Sequence, residues 1–160
     1  MMGYCYEYPR PSVSADIAIF RKKGDELQVL LIRRGNEPFK GMWALPGGFM
    51  EMDETLEETA ARELEEETGL AGIKLEQFHT FSQVDRDPRT RIVTTVYYGF
   101  TGEDNDTARG GDDAEEACWF GTDHLPPMGF DHEKIICRIL NDQKIASSHV
   151  AFIKPAQDLK

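Results

Sequence analysis

The amino-acid sequence predicts an α/β protein of the α+β kind, in which a mixed β-sheet is held between helices. Strand-like segments form two groups, before and after a strongly amphipathic helix near Thr55, and a second helix follows late in the chain. The order lacks the regular strand–helix alternation of a doubly wound sheet. At 160 residues the chain is long enough for one domain with a substantial core.

The first segment, residues 12–34, predicts a strand, a turn and a second strand. Apolar and polar or small residues alternate from Val13 to Ile19, as in a half-buried strand. Lys23-Gly24-Asp25 is a turn signal, and the run from Leu27 to Ile32 has the branched apolar residues of a buried strand.

The segment WALPGG, residues 43–48, predicts a brief strand that is ended by Pro46 and two glycines. Adjacent glycines allow backbone conformations closed to other residues and leave main-chain amides and carbonyls exposed. Because an acidic helix follows, this loop could turn a main-chain carbonyl toward a metal ion.

The helix itself is predicted to begin at Thr55 and to end at Gly69. Thr55 and Glu58 have the spacing of a capping box, and glycine favours the left-handed conformation that ends many helices. Arg62 is expected to pair with Glu58 one turn before it and with Glu66 one turn after it. A core-facing apolar stripe recurs at i, i+4 and i+8: Leu56, Ala60 and Leu64.

The rest of the chain predicts three more strands, a helix and a tail. We expect strands at 75–82, 91–100 and 117–120, a helix from a cap at Asp131 to about residue 142, and a small edge strand at 150–153. The domain prediction is an N-terminal arm at 1–11, one domain at 12–145 and a C-terminal tail at 146–160. Tyrosines alternate in the arm, and we expect it to pack on its own domain or on a second subunit.

Composition limits the classes of partner. The formal net charge of −11 argues against non-specific binding to nucleic acid or to an anionic membrane. Three separated cysteines without a C-x-x-C pair fit a reduced compartment. The chain has no long apolar run and no signal-peptide pattern, so a cytoplasmic location is expected. An anionic substrate would need a bridging cation.

The acidic helix is the candidate for holding that cation. Nine acids surround one arginine between Glu51 and Glu67. Three of them, Glu63, Glu66 and Glu67, are related by i, i+3 and i+4 and therefore share one patch at the margin of the apolar stripe. Crowded carboxylates at such a margin repel unless a cation compensates them. The patch predicts a site for Mg²⁺, or for Mn²⁺; a plain solvated acidic face is the alternative.

This stretch resembles the Nudix box, G-x5-E-x7-R-E-U-x-E-E-x-G-U, where U is apolar. All nine specified positions are filled: Gly48, Glu54, Arg62, Glu63, Leu64, Glu66, Glu67, Gly69 and Leu70. The resemblance to the Nudix hydrolase family implies an α/β/α sandwich with a mixed central sheet. It also implies an enzyme that hydrolyses the pyrophosphate linkage of a nucleoside diphosphate joined to another group.

The resemblance further implies roles for single residues. Glu63, Glu66 and Glu67 would bind the metal, with a carbonyl from Gly47 or Gly48. Arg62 would orient the box glutamates, and Glu54 would be mainly structural. The general base is either a box glutamate or an acid of a later loop, where Glu116 is the candidate and its neighbours Asp112, Asp113 and Glu115 are alternatives. These later acids could equally be solvent-facing charge.

Two stretches outside the box resemble ADP-ribose pyrophosphatases of this family: QVDRDPRTR at 83–91 and LPPMGFDHEKII at 125–136. The second also resembles regulators that sense ADP-ribose. The resemblance implies hydrolysis of ADP-ribose to AMP and ribose 5-phosphate. Candidate contacts to phosphate or ribose are Arg86, Arg89 and Arg91, with surface charge as the alternative. Phe81 or a tyrosine of the arm could stack on adenine, and His132 is either a substrate contact or a packed residue.

Three other functions stay open at this point. A nucleotide-sanitising (d)NTP pyrophosphatase would share every residue of the box. A non-enzymatic sensor of an ADP-ribose-type ligand would share the fold, although the intact box favours catalysis. A purely structural acidic domain is the third. The expected partner is a small-molecule nucleotide substrate, without nucleic acid or membrane, and the aromatic arm would suit a homodimer.

Overall fold

The computed structural model of this chain describes residues 4–105 and 114–142, the side chain of Glu115 excepted. Within them, seven strands and two helices follow the chain in the order β1 Ser12–Lys23, β2 Glu26–Arg34, β3 Trp43–Ala44, β4 Gly47–Phe49, α1 Leu56–Thr68, β5 Glu76–Phe81, β6 Ile92–Thr101, β7 Ala114–Gly121 and α2 His132–Leu140.

Strand β1 lies at the centre of the sheet. Along one edge it pairs in parallel with the whole of β6, from Ser12 opposite Ile92 to Arg21 opposite Thr101. Along the other edge its second half forms an antiparallel hairpin with β2, and its first half pairs with the short glycine strand β4. Strand β5 is antiparallel to β6 on the outside. The mixed sheet predicted from the sequence is confirmed.

Strand β2 extends beyond its pairing with β1 and pairs with the two remaining strands, β3 and β7. Antiparallel β7 follows one of its edges, and β3 pairs with its end, where Ile32 is opposite Ala44. The separation of β2 from β1 leaves room for β4 beside the start of β1. This divergence sets the glycines of β4 against Glu63 and Glu67 of the helix that follows them.

The two faces of the sheet bury two different cores. Because successive side chains of a strand point to opposite faces, Ile17 and Ile19 of β1 pack on the side of α1, while Ala18 and Phe20 pack on the side of α2. Helix α1 contributes Ala60 and Leu64 to the first core, with Leu56 partly buried beside them. Helix α2 contributes Ile135, Ile136 and Ile139 to the second. The result is the expected α/β/α arrangement.

Helix α1 has both predicted caps. The Thr55 hydroxyl accepts from the Glu58 N–H, and the Glu58 carboxylate accepts from the Thr55 N–H at 2.7 Å, which completes the capping box. Gly69 ends the helix with φ 74° in the left-handed region. Since Glu58 is used in this way, the prediction that it pairs with Arg62 is wrong; Arg62 binds Glu54 instead.

The later elements depart from the predictions in detail. Strand β4 was predicted as a loop, and β7 is longer than the four predicted residues because it pairs with β2 along its length. Asp131 precedes α2 as expected, but its carboxylate makes no capping hydrogen bond because both of its oxygens accept from Arg86. The strand predicted at 150–153 lies outside the described residues.

The described part of the arm, from Tyr4, lies on the surface. The rings of Tyr4 and Tyr6 stack at 6.2 Å, and Tyr4 and Tyr8 are about 70% exposed. The expected packing of the arm on its own domain is therefore not seen in these residues. Within the described ranges no helix is long and apolar enough to span a bilayer.

Candidate active site

A cavity of about 450 Å³ lies between α1 and the loops that contain Arg86 to Arg89 and Phe130. This volume lies within the range of small-molecule sites. One wall is formed by the acidic face of α1 and the glycine strand β4, and the facing wall by the 85–91 loop and the start of α2. The side chains discussed below come from these two walls and, for Asp16, from β1: Glu63, Glu66, Glu67, Arg62, Phe49, Asp16, Arg86, Asp87, Arg89, Phe130 and His132.

Glu67 is the most deeply placed of the box glutamates. It is 7% exposed, and its Oε2 accepts from the main-chain N–H of Gly47 at 2.9 Å. Burial raises the pKa of Glu67 to about 8, and the charges of Glu63 and Asp16 act in the same direction, while the Gly47 hydrogen bond opposes them. A carboxylate held in such a place is one that a cation would stabilise.

Glu63 lies beside Glu67 and is fitted closely to β4. A Cβ atom at Gly48 would overlap the Glu63 carboxylate, so the glycine leaves room for this side chain in its present position. Burial raises the pKa of Glu63, against the effect of Arg62, whose Nη1 donates to Glu63 Oε1 at 2.7 Å. The two glycines of β4 thus bring the strand into contact with the carboxylates of α1.

Arg62 connects the acids of the box to one another. It donates to both oxygens of Glu54, to Glu63, to Glu66 at 3.1 Å and to the main-chain oxygen of Phe49 at 3.2 Å. These acceptors raise the pKa of Arg62, and its guanidinium lowers the pKa of Glu54 to about 2. Arg62 therefore donates hydrogen bonds to the acids of the box and to β4, and pairing with the box glutamates is what the resemblance implied.

The three box glutamates supply the hard oxygen donors that Mg²⁺ and Mn²⁺ prefer. In this conformation they are not gathered as a ligand set: no group of three acids, histidines or cysteines within the described ranges could hold an ion. Glu63 and Glu66 turn to Arg62, and Glu67 to Gly47. The donor chemistry of these three carboxylates fits a divalent cation.

The facing wall is built on a buried polar network. Arg86 is 8% exposed and donates to both oxygens of Asp131, at 3.1 and 2.7 Å, with Asp16 3.5 Å away. Asp16 also accepts from the Thr94 hydroxyl at 2.7 Å. These contacts join β1, β6, the 85–91 loop and the start of α2. The buried Arg86 therefore stabilises this wall through its ion pairs with Asp131 and Asp16.

His132 belongs to the same network. Its Nδ1 accepts from the main-chain N–H of Leu45 at 2.9 Å, so the proton of the neutral ring lies on Nε2, 3.7 Å from Asp16 Oδ2. Burial lowers the pKa of His132, although Asp16 and Asp131 raise it. The ring is 5% exposed and packs as a structural residue that also lines the cavity.

Arg89 is the arginine of this loop that faces the mouth of the cavity. Its Nε and Nη2 donate to the two oxygens of Asp87, at 3.1 and 2.8 Å. Its guanidinium carbon lies 5.4 Å from the ring centre of Phe49 and 5.5 Å from that of Phe130. Asp87 raises the pKa of Arg89. A charged planar group, held by Asp87, thus lies near two phenyl rings.

The other candidates from the sequence do not reach the cavity. Phe81 is 6% exposed in the α2-side core, because it is the inward residue at the end of β5, and its position does not support stacking on adenine. Arg91 is exposed and donates to the main-chain oxygen of Gln83. Glu116 is exposed on β7, opposite Arg33, 3.2 Å from Cys118 Sγ. None of the three lines the cavity.

Sequence reasoning missed several cavity residues. Asp16 falls in the alternating segment that was predicted as a half-buried strand, and the sequence assigned no role to Phe49 or Phe130. One available signal was an acid between Ala15 and Ile17 in a strand that is otherwise buried on both faces. Phe49 and Phe130 both contact Arg89, about 40 positions away from each along the chain, and such contacts have no local signal.

Comparison with known proteins supports the same conclusion. The NUDIX domain model matches residues 10–139. The ADP-ribose pyrophosphatase of Methanocaldococcus jannaschii is 44% identical over 131 residues, which cover 81% of this chain and 73% of that protein. The ADPR responsive transcriptional repressor NtrR of Acinetobacter baylyi is 45% identical over 94 residues, 58% of this chain and 38% of the repressor.

Among solved structures, the NUDIX domain of Shewanella oneidensis NrtR, a cocrystal with ADP ribose, has a TM-score of 0.76 at 28% identity. The match covers 89% of this chain and 90% of that one. Nudix hydrolases generally use divalent metals, in agreement with the donor chemistry of the acidic wall. With its complete box, its α/β/α fold and a family match over most of its length, the chain belongs to the NUDIX domain family and is a Nudix hydrolase.

Proposed function

We propose that the protein hydrolyses ADP-ribose to AMP and ribose 5-phosphate, with Mg²⁺ or Mn²⁺ as its metal. The observation that carries this proposal is that the box glutamates and the Asp87–Arg89 loop line opposite walls of one cavity. The loop belongs to the stretch that resembles ADP-ribose pyrophosphatases. The 44% identity to the pyrophosphatase of M. jannaschii supports the same substrate.

The reaction breaks one phosphoanhydride bond and adds one water across it. Glu63, Glu66 and Glu67 would hold the metal, with a main-chain carbonyl of Gly47 or Gly48. When bound, the metal would neutralise the pyrophosphate and lower the pKa of the attacking water. Arg62 keeps the glutamates on the cavity side of α1, through its hydrogen bonds to Glu63 and Glu66.

We propose that the general base is one of the acids that line the cavity. Glu116 was the candidate of the later loop, but it lies on β7 away from the cavity. The acids that do line the cavity are Asp16, Glu51, Glu63, Glu66, Glu67 and Asp87. Glu51 is exposed there and has no role in the network around Arg86, so Glu51→Gln and Glu116→Gln should be compared. We expect Glu116→Gln to keep most of the activity, because its carboxylate is remote from the site.

The deciding experiment is a substrate panel with products identified by mass spectrometry. ADP-ribose, NAD and a set of natural and oxidised nucleoside triphosphates would be incubated with the protein in Mg²⁺, in Mn²⁺ and in EDTA. We expect AMP and ribose 5-phosphate from ADP-ribose and no turnover in EDTA. Preferred release of pyrophosphate from a triphosphate would overturn the substrate proposal in favour of a sanitising enzyme.

A ligand sensor is the less favoured alternative, although one relative is named as an ADPR responsive repressor. That relative is matched over only 38% of its length. A sensor would bind ADP-ribose without converting it, so calorimetry and product analysis on the same sample separate the two functions. Tight binding with no product after long incubation in Mg²⁺ and Mn²⁺ would favour the sensor.

The proposed partners, location and oligomeric state rest on the net charge, the cysteines and the exposed tyrosines of the arm. A net charge of −11 supports a partner set without nucleic acid or membrane, and a reduced, cytoplasmic location is consistent with three free cysteines. The exposed rings of Tyr4, Tyr6 and Tyr8 support a homodimer contact. Light scattering of the intact chain and of a Tyr4→Ala, Tyr6→Ala, Tyr8→Ala variant would test it.

A further inference from the structure

Hydrogen bonds join the segment at the start of α2 to the chain that leads into β4. The Trp43 N–H donates to the Pro127 oxygen at 3.3 Å, and the Trp43 oxygen accepts from the Gly129 N–H at 2.9 Å. A further bond runs from the Leu45 N–H to His132 Nδ1, at 2.9 Å. The first two join main chains and are open to many side chains, whereas the last depends on the residue type at position 132.

The Leu45 N–H needs this side-chain acceptor. Leu45 is 2% exposed, and β3 ends one residue before it, at Ala44. A buried main-chain donor that loses its acceptor destabilises the structure around it. Because Pro46 has no N–H, Leu45 supplies the last main-chain donor before Gly47.

Pro46 and Gly47 attach the same short segment to β1 and to α1. The Pro46 oxygen accepts from the Ile17 N–H at 2.8 Å, and the Gly47 N–H donates to Glu67 Oε2 at 2.9 Å. A Cβ atom at Gly47 would overlap the main chain of β1, so the glycine lies directly on that strand. The segment that His132 holds at one end therefore reaches the candidate metal ligand Glu67 at the other.

The imidazole of His132 is held in the orientation that this contact needs. The ring is 5% exposed, and Nε2 faces Asp16 Oδ2 at 3.7 Å. Asp16 is itself held by the Thr94 hydroxyl at 2.7 Å and by Arg86 at 3.5 Å. Since a neutral imidazole carries one N–H, a proton on Nε2 leaves Nδ1 as an acceptor. The ring lines the cavity, but both of its nitrogens face groups of the protein itself.

From these contacts we propose that His132 is a positioning residue for the metal site. Its Nδ1 fixes Leu45, and through the next two residues it fixes the N–H and the carbonyl of Gly47 beside Glu67. This inference rests on the proposed metal-dependent function and gives α2 a part in building the acidic wall. A substrate contact would act on nucleotide binding and a packed residue on stability, whereas a positioning residue acts on metal binding without substrate.

The test compares two amides at position 132. In His132→Asn the side-chain oxygen can take the place of Nδ1, whereas in His132→Gln the longer amide reaches the place of Nε2 and leaves the Leu45 N–H without its acceptor. Mn²⁺ titration followed by electron paramagnetic resonance, without nucleotide, would measure the dissociation constant for the unaltered protein and each variant. We expect His132→Gln to weaken Mn²⁺ binding by roughly tenfold, as for residues that orient metal ligands, and His132→Asn to restore it.

Ile139→Ala is the matched control for stability. Ile139 is fully buried on the same helix and does not line the cavity, so its truncation destabilises the packing of α2 and keeps the Leu45 contact. It should leave the Mn²⁺ dissociation constant unchanged at a temperature where circular dichroism shows each variant folded. Should His132→Gln not fold, His132→Ala, which removes the acceptor without placing an amide against Asp16, gives the same comparison.

The outcomes separate this role from the proposed function. Equal Mn²⁺ affinity in His132→Gln and His132→Asn, or an equal loss in His132→Gln and Ile139→Ala, would overturn the positioning role. Absence of Mn²⁺ binding by the unaltered protein would overturn the proposed metal site and this role together. The expected difference between the two amides, with no turnover of ADP-ribose by the unaltered protein, would overturn the proposed function alone.

Discussion

Arg62 and Glu54 are joined by two parallel hydrogen bonds, at 3.0 Å from Nε and 2.6 Å from Nη2. Glu54 also accepts from the Glu51 N–H and the Thr59 hydroxyl, so the loop before α1 and the first turns of the helix meet at this carboxylate. The remaining guanidinium nitrogen contacts Glu63 and Glu66. Glu54 therefore fixes the orientation of the Arg62 guanidinium relative to the candidate metal ligands Glu63 and Glu66.

The first prediction concerns Glu54→Gln. The amide retains one acceptor but loses the two-point contact, so Arg62 should shift and misalign Glu63 and Glu66. Changes to residues that orient metal ligands typically cost about 10- to 100-fold in metal affinity or activity, and we expect a loss in that range. Titration of Mg²⁺ and Mn²⁺, followed by kcat/KM for ADP-ribose, measures it.

Glu65→Gln is the matched control for this change. Glu65 lies on the same helix and is exposed to solvent. Its replacement by glutamine removes the same charge. It should leave metal affinity within about twofold of the unaltered value, as expected for surface substitutions. A similar loss in both variants would mean that the total charge of α1, and not the Arg62–Glu54 contact, governs metal binding.

The second prediction is that Glu67→Gln abolishes metal-dependent hydrolysis with the fold retained. The amide oxygen can still accept from the Gly47 N–H, and a neutral group suits a position where burial raises the pKa of the acid to about 8. Loss of a metal ligand removes charge stabilisation worth several kcal/mol, which is about a hundredfold or more in rate. Product formation and circular dichroism are the measurements. Full turnover by this variant would remove Glu67 from the metal site.

The local parts of the fold were predictable because their signals lie within a few residues. The capping box of Thr55 and Glu58, the left-handed Gly69 and the turn at Gly24 all depend on near neighbours. Composition alone did not distinguish a metal patch from a solvated face. The box spacing favours the metal patch, since it places Glu63, Glu66 and Glu67 on one side of a helix, and all three line the cavity.

The facing wall could not be predicted in the same way. Phe81 and Phe49 are both phenylalanines at strand ends, yet one is buried under α2 and the other is exposed in the cavity. Arg86, Arg89 and Arg91 have similar local sequence, but their surroundings come from strands and loops distant in the chain. Only the packing of the whole domain separates the buried Arg86 from the partly exposed Arg89.

The third prediction separates two of these arginines. Arg86→Met should destabilise the protein by about 3–5 kcal/mol, because it leaves Asp16 and Asp131 buried without their cation. Arg91→Gln, a change of the same charge on an exposed side chain of the same loop, should alter stability by less than about 0.5 kcal/mol. Urea unfolding monitors both. Normal stability of Arg86→Met with a raised KM would indicate a direct substrate contact.

The fourth prediction is a pH dependence of stability that originates at His132. Burial lowers the pKa of this imidazole; Arg86 of the 85–91 loop and Arg34 of β2 also lower it, while Asp16 of β1 and the neighbouring Asp131 raise it. In the unfolded chain the group titrates near 6.5. Between the lowered pKa and about 6.5 this group binds more protons in the unfolded chain, so the contribution of His132 to the free energy of unfolding rises with pH in this window and is lost as pH falls.

Urea midpoints measured from pH 5 to pH 8 in EDTA would test this, with His132→Asn as the comparison. The asparagine side-chain oxygen can replace Nδ1 as the acceptor for the Leu45 N–H, so the fold is retained while the titrating group is removed. We expect the midpoint of the unaltered protein to fall more steeply below pH 6.5 than that of the variant. Parallel curves for the two proteins would show that acids elsewhere, and not the buried imidazole, set the pH dependence.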